Sequence, residues 1–317
     1  MSFKIIIVVL GIWFLYKKII HNQNVAQLWT DIKTTFTDSR QFILMIAAFL
    51  LVYVNILLEA FKWKFQVKPI ENISLSISYI SIFTGMTAGM FFPNRMGNFL
   101  GRIFMLKKGD RIKAAMVTVV GGMGQMIVTV SFGLISSLFF TEKYHILIAV
   151  ISIIIITLLI LLYFNIKLLK YLQVFIPERF KEKTRSYVEI FSQYTKKELL
   201  NILILSFVRY IIYSFQFVLL TWAFNIPLSY INTMIPISLT YLMMMIVPFI
   251  TITEIAVRGS ISILIFEKWL IINGINSSLS AMVFSASSLL WIFNIAIPAV
   301  IGLFMTNRLK FFRKNEL

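Results

Sequence analysis

Long apolar runs, separated by short polar or basic stretches, dominate the chain. Several runs approach the roughly 20 residues that a helix needs to cross the hydrocarbon core of a bilayer. The alternating segments of about ten residues that build a membrane β-barrel are not seen. The pattern predicts an all-α polytopic membrane protein with about six spanning helices. These spans are expected at 5–16, 42–60, 114–140, 146–164, 200–222 and 277–305.

Two further apolar runs are each interrupted by a proline. The run 73–92 ends at Pro93, and the run 230–247 ends at Pro248. Proline has no backbone N–H to continue a helix, so a new helix is expected to begin after each break, over about 95–106 in the first case. At about 1.5 Å per residue that helix is too short to span a bilayer. It is therefore half of a re-entrant hairpin or lies in the membrane interface.

The second break carries its own helix-start signal. Thr251 and Glu254 have the Ser/Thr-x-x-Glu spacing of a capping box, in which the two side chains satisfy backbone N–H groups of the first turn. This spacing predicts a fresh helix that continues to about residue 269.

The helices after the two breaks carry matching polar trios, each with the spacing i, i+3, i+7. The trios are Arg95, Asn98 and Arg102 after the first break, and Thr251, Glu254 and Arg258 after the second. This spacing places each trio on one helix face. Two broken helices, one from each half of the molecule, are therefore expected to meet inside the membrane and direct polar faces at a shared site.

If each broken segment enters and leaves on the same face of the membrane, the chain is an inverted repeat. Its half-repeats would cover about 42–140 and 200–305, a charged cytoplasmic connection would occupy about 165–199, and both termini would face the cytoplasm. In the rival topology, the run 73–92 spans, the next helix is interfacial, and the N-terminus lies outside. The distribution of Lys and Arg does not distinguish the two. The matching motifs favour the inverted repeat, which is a common construction in transporters.

Composition supports the membrane assignment. Hydrophobic residues make up 59% of the chain and charged residues 14%, against about 25% charged in soluble domains. The net charge of +17 resides in the short stretches between apolar runs. This is the positive-inside pattern of the cytoplasmic membrane, and no nucleic-acid partner is expected. Cysteine is absent, and His21 and His145 have no metal-binding spacing, so neither a metal nor another cofactor is expected.

Arginines at membrane depth indicate what enters the expected site. Helix N-termini that begin at that depth attract anions. Arg95, Arg102 and Arg258 would then bind a phosphate-bearing group, because the guanidinium fork matches phosphate bidentately. The irregular backbone at the two prolines is tolerated only where protein or water covers it. The breaks therefore imply a cavity.

Each candidate site residue also has a structural alternative. Arg95 and Arg102 could be interfacial arginines that extend to lipid headgroups. Glu254 could cap its own helix and pair with Arg258 at i+4. Arg209, in the middle of a predicted span, either lines the cavity or pairs with a carboxylate such as Glu254.

Other polar positions in the spans indicate packing. Glu59 and Lys62 are expected to close the second span at i, i+3, with Lys62 in a basic edge. The glycine-rich segment 121–124 is typical of close helix packing in a bilayer. Gln125 and Asn294 are weaker candidates for the site.

The two proline motifs resemble those of one family. Pro93-Asn94-Arg95-Met96-Gly97-Asn98, followed by Arg102, is similar to the signature Pro-x-Arg-x-Gly-Glu and then Arg of the lysylphosphatidylglycerol synthase membrane-domain family, also called flippase-like proteins. Pro248 followed by Glu254 resembles the second signature of the family. The resemblance covers nearly the whole chain. Asn98 departs from the usual Glu, and 121–125 replaces a usual Glu-Arg-x-x-Asp, which implies a more positive pocket and a lipid that need not be cationic.

The resemblance implies lipid translocation by a stand-alone membrane domain, because no soluble aminoacyl-transferase domain follows the last span. We expect a flippase-like transporter for an anionic or glycosylated lipid, such as a polyprenyl phosphate or a phospholipid. The alternative is a non-transporting membrane partner or scaffold of a lipid-modifying enzyme. An enzyme acting on lipid headgroups is disfavoured, since no nucleophile-base pair, metal cluster or phosphate-binding loop is found.

Overall fold

The apolar runs fold into helices throughout the part of the chain that the structure, a computed structural model, describes. That part comprises residues 33, 37–92, 96–106, 111–141, 143–167, 189–248, 253–275 and 279–305. The helices are α1 (Ser39–Val67), α2 (Leu75–Gly89), α3 (Gly97–Phe104), α4 (Arg111–Ser137), α5 (His145–Phe164), α6 (Lys196–Ala223), α7 (Tyr230–Ile246), α8 (Glu254–Ile272), α9 (Ser280–Trp291) and α10 (Ile297–Met305).

Five helical stretches within the described residues are long and apolar enough to cross a membrane. These are α1, α4 with its 3-10 continuation to Phe140, α5, α6, and the stretch Ser280–Met305, in which α9 and α10 join through a π-helical turn at Ile292–Ala296. α7 is a shorter apolar helix. The chain is an all-α polytopic membrane protein, as its pattern predicts. The first predicted span, 5–16, lies outside the described residues.

Helix α1 is longer than predicted. Asp38 caps its N-terminus by accepting hydrogen bonds from the backbone N–H groups of Arg40 and Gln41, and the helix continues to Val67. Glu59 and Lys62 pair at i, i+3, but the prediction that they close this helix is wrong, as is the placement of Lys62 in a basic edge. Lys62 is only 2% exposed, because the turns around it pack against neighbouring helices.

Helices α2 and α3 lie on the two sides of the first proline, whose own position is outside the described residues, and form a tight hairpin. A Cβ atom added at Gly101 would lie 2.6 Å from the Cα atom of Gly85, so the two backbones are in contact. Such contact is the usual role of small residues between helices in a bilayer. α3 has eight residues and is too short to span.

The first hairpin enters and leaves on one face of the membrane. Lys68, just after α1, and Glu198, in the first turn of α6, form an ion pair with an Nζ–Oε1 distance of 3.3 Å. Their two helix ends therefore lie on the same face. Between them come the α2–α3 hairpin and the spanning helices α4 and α5, and two spans return the chain to the face where it began. The rival topology, in which the run 73–92 crosses, would place Lys68 and Glu198 on opposite faces and is wrong.

The second hairpin, α7–α8, enters and leaves on the opposite face. α1 begins and α6 ends on that face, because Asp38 and Asn225, next to these two helix ends, line one surface pocket. α7 follows α6 directly and therefore starts on the same face. α8 returns there, because the Trp269 ring near its end lies 5.2 Å from the Phe140 ring at the far end of α4. The two hairpins are therefore inverted relative to each other.

Packing between the two halves is reciprocal. α1 packs against α6, α2 packs against α10, and α7 packs against α4. A glycine lies at each of the last two crossings. A Cβ atom at Gly302 would be 2.3 Å from the carbonyl oxygen of Phe83, and one at Gly133 would be 2.4 Å from Cβ of Leu242. Each hairpin is thus held by the final spanning helix of the other half.

Candidate functional site

A cavity of about 350 Å³ lies where the two hairpins meet the spanning helices. The described residues predicted for the site all line this cavity: Asn98, Arg102, Arg209, Glu254 and Arg258. Arg95 lies outside the described residues, as does Thr251 of the second trio. The cavity wall combines these charged groups with methionine side chains and the rings of three tyrosines.

The carboxylate of Glu59 is surrounded by three cations from three helices. Its Oε1 atom accepts a hydrogen bond from Nη1 of Arg102 at 2.6 Å. Its Oε2 atom lies 2.8 Å from Nη1 of Arg209 and 2.8 Å from Nζ of Lys62. This cluster joins α1, α3 and α6 at membrane depth. Because Arg102 is 8% exposed, it does not reach a membrane surface as an interfacial arginine would.

Arg209 is the centre of a chain of amide contacts. Its Nε donates to Oδ1 of Asn55 at 2.8 Å, and its Nη1 donates to Oε1 of Gln125 at 3.3 Å. The Asn55 amide in turn donates to Oδ1 of Asn294 at 3.3 Å. Asn294 belongs to the π-helical turn, and such turns often aim a side chain into a functional site.

Arg258 is paired within its own helix. Its Nη2 donates to Oε1 of Glu254, one turn earlier, at 2.7 Å, and its Nη1 donates to the hydroxyl of Tyr213 at 3.2 Å. Glu254 is the first residue of α8 and is fully buried. The predicted i, i+4 pair is confirmed, and both of its members also line the cavity.

The positions of the helix breaks agree with the two prolines. α7 ends at Ile246, two residues before Pro248, and α8 begins at Glu254. The structure describes neither Pro93 nor Asn94, but α2 ends at Gly89 and α3 begins at Gly97 on the two sides of that gap. The helices that follow the two breaks, α3 and α8, therefore start beside the cavity, as the paired motifs predict.

Sequence reasoning missed Glu59. Arg209 was predicted either to line the cavity or to pair with a carboxylate such as Glu254; it does both, and its carboxylate is Glu59. The signal for Glu59 was present, because an ionisable residue within an apolar span is by default a candidate functional residue. Its spacing from Lys62 at i, i+3 suggested a local pair and hid the longer-range contacts. Gln125 and Asn294, the weaker candidates, both line the cavity.

These helices and this cavity define a polytopic α-helical membrane protein with a charged internal site between two inverted hairpins. The model of one family, described as the lysylphosphatidylglycerol synthase TM region, matches residues 1–283 of the chain. The protein belongs to this family, which confirms the resemblance of its proline motifs. No curated protein and no solved structure matches the chain.

Proposed function

We propose that the protein is a flippase-like transporter that moves a lipid with an anionic, phosphate-bearing headgroup across the membrane. The observation that carries this proposal is the meeting of Arg102, Arg209 and Arg258 in one cavity at membrane depth. Guanidinium groups match phosphate oxygens in geometry and charge. The described residues that line the cavity offer three arginines against two carboxylates, Glu59 and Glu254, so the site favours an anion.

The hairpins supply the parts that alternating access requires. Each hairpin enters from its own face of the membrane and contributes one arginine, Arg102 or Arg258, at equivalent places in the two trios. Broken helices that meet near the membrane midplane are how many transporters build such a site. Movement of one hairpin at a time would expose a bound headgroup to one face and then the other.

The lining also suits an amphipathic ligand. Ile56, Met86, Met244 and Met245 add apolar surface beside the arginines. Flexible methionine side chains adapt to irregular apolar groups. In this proposal the headgroup occupies the charged part of the cavity, and the tail stays in the bilayer between helices.

The proposal includes the division into half-repeats at about 42–140 and 200–305, with both termini in the cytoplasm and the protein in the cytoplasmic membrane. It includes no catalytic step. Lys68 would then face the cytoplasm and Lys143 the outside. A membrane-impermeant thiol reagent applied to intact cells should label a cysteine at 143 and not one at 68. Labelling at 68 alone would reverse the orientation.

The function is tested by lipid flux in liposomes that contain the purified protein. The parent should move a fluorescent phosphate-bearing lipid between leaflets. Arg102→Gln and Arg258→Gln should each weaken lipid binding by about one to two decades and slow this flux. That range follows from the roughly 1.5–3 kcal/mol of a charge-assisted hydrogen bond. Arg258→Lys should recover only part of the loss, because lysine keeps the charge but lacks the fork.

Lys197→Gln is the matched control, since Lys197 is exposed and its replacement also removes one positive charge. It should move lipid at the parental rate. If both arginine variants fold and match the parent, the transport role of the cavity is wrong. The role of a non-transporting partner of a lipid-modifying enzyme would then take its place.

A further inference from the structure

We infer that the cavity selects a lipid whose phosphate is a terminal monoester or diphosphate, with a charge near −2, over phosphodiester phospholipids with a charge of −1. This inference rests on the proposed function and names the substrate class of the same site. It follows from three features of the cavity: its net charge, the donors that its arginines retain, and the burial of its charged groups.

The first feature is the charge balance. Arg102, Arg209 and Arg258 line the cavity, and Lys62 lies against the Glu59 carboxylate behind them. Glu59 and Glu254 are the facing carboxylates among the described residues. The sum for these six groups is a net charge of +2. No histidine is found among the described residues that line the cavity.

The second feature is the number of free donors. Each guanidinium has five N–H groups. The Nε–H groups of Arg102 and Arg258 are buried and have no acceptor among the described residues. The two arginines are 8% and 6% exposed, respectively. A monoester phosphate presents three terminal oxygens, whereas a diester presents two, so the monoester can accept more of these bonds.

The third feature is the burial of the charged groups, since Arg102, Arg258 and Glu254 are all buried, and burial makes uncompensated charge unfavourable. A diester headgroup would leave about one positive charge without compensation, whereas a monoester, with a charge of about −1.5 to −2 at pH 7, neutralises the site. Charge, donor number and burial therefore favour the same class of headgroup.

The experiment compares two lipids that differ only at the phosphate. Dioleoyl phosphatidic acid is the monoester and dioleoyl phosphatidylmethanol is the diester, and each is added to the purified protein in phosphatidylcholine nanodiscs. At pH 7.5 the monoester should bind about tenfold to a hundredfold more tightly, the gain expected from an additional charge-assisted contact.

The pH dependence provides a second readout. The second ionisation of a phosphate monoester occurs near pH 6. Monoester affinity should therefore be highest above that value and fall by up to tenfold for each pH unit below it. The diester does not titrate between pH 5.5 and 7.5, so its affinity should stay constant. Protonation of Glu59, Glu254 or Lys62 would make the site more positive and would strengthen the binding of both lipids. A parallel fall for the diester would therefore show that the pH dependence does not come from the phosphate, and would contradict the inference.

Two variants distinguish the effect of the net charge of the site from the effect of the Arg258 contact alone. Arg258→Gln lowers the net charge of the site to +1 and should reduce the preference for the monoester to about a few-fold. The double variant Glu254→Gln, Arg258→Gln removes one charge of each sign and keeps +2. It should bind both lipids more weakly than the parent but retain the preference.

Equal affinity of the parent for the two lipids would overturn the inference, as would loss of the preference in the double variant. Neither result would affect the proposed function if the protein still moves lipid between leaflets. Absence of lipid flux for both headgroups, by contrast, would overturn the proposed function itself.

Discussion

The two hairpins carry an arginine at the same place, yet they neutralise it in different ways. On α8, Arg258 pairs with Glu254 of its own helix. On α3, the residue one turn before Arg102 is Asn98, and the carboxylate comes from Glu59 of α1. The Arg258 pair lies within one helix, whereas the Arg102 pair joins two. Each of the two hairpin arginines, Arg102 and Arg258, thus has a carboxylate partner, although Asn98 departs from the family motif.

This difference determines how each hairpin is tied to its surroundings. Glu59 also contacts Arg209 of α6 and Lys62 of α1, so the first hairpin is connected to the two central helices by ion pairs. The ion pair on α8 lies within that helix, and the Tyr213 hydroxyl connects Arg258 to α6. We therefore expect the first hairpin to depend on long-range electrostatics and the second on local electrostatics.

The largest expected effect is that of Glu59→Gln. This change leaves three cations without their shared carboxylate, and breaking one side of a buried ion pair costs about 3–5 kcal/mol. Thermal melting of the purified protein should show a lower melting temperature for this variant than for Glu254→Gln. Lys68→Gln is the control, because it breaks an ion pair whose lysine side chain is 62% exposed and should cost about 0–1 kcal/mol. Equal melting temperatures for Glu59→Gln and its control would contradict the expectation that the first hairpin depends on the long-range ion pairs of Glu59.

A smaller effect is expected for Glu254→Gln. Arg258 loses its carboxylate partner but keeps the Tyr213 hydroxyl, so the loss should be about 2–3 kcal/mol. The double variant Glu254→Gln, Arg258→Gln should recover part of that loss, as expected for neighbours that interact. Additive losses in thermal melting would mean that the two side chains depend on different partners.

A still smaller effect concerns the crossings that hold the hairpins. In Gly302→Ala the new methyl group would meet the backbone carbonyl of Phe83, which cannot move aside without shifting α2. Overpacking of this kind should lower the free energy of unfolding by about 1–2 kcal/mol. Gly122→Ala is the matched control, since nothing lies within 4 Å of its added Cβ. The free energy of unfolding of that variant should rise by about 0.5–1 kcal/mol, because alanine has a better helix propensity than glycine. An equal loss of stability in both variants would contradict the close contact between α10 and α2.

The hydrophobic pattern predicted the helices well because a spanning helix is specified by its own residues. The bounds of α5 and α7 agree with their predicted runs to within one residue. The Glu254–Arg258 pair was predictable for the same reason, since i, i+4 contacts follow from helix geometry. The Glu59–Arg102 contact joins residues 43 positions apart and depends on how α3 packs beside α1. No local spacing predicts such a contact, and the i, i+3 spacing to Lys62 indicates only the local pair, which also forms.

The central claim is that the two hairpin arginines act on one shared anion. A double-mutant cycle on Arg102→Gln and Arg258→Gln tests it most directly, with phosphatidic acid binding measured in phosphatidylcholine nanodiscs and Lys197→Gln as the control. Each single change should weaken binding about tenfold to a hundredfold. The double change should weaken it by clearly less than the product of the two, because residues that share a partner are energetically coupled. Losses that multiply without coupling, or unchanged binding in both single variants, would contradict a shared site.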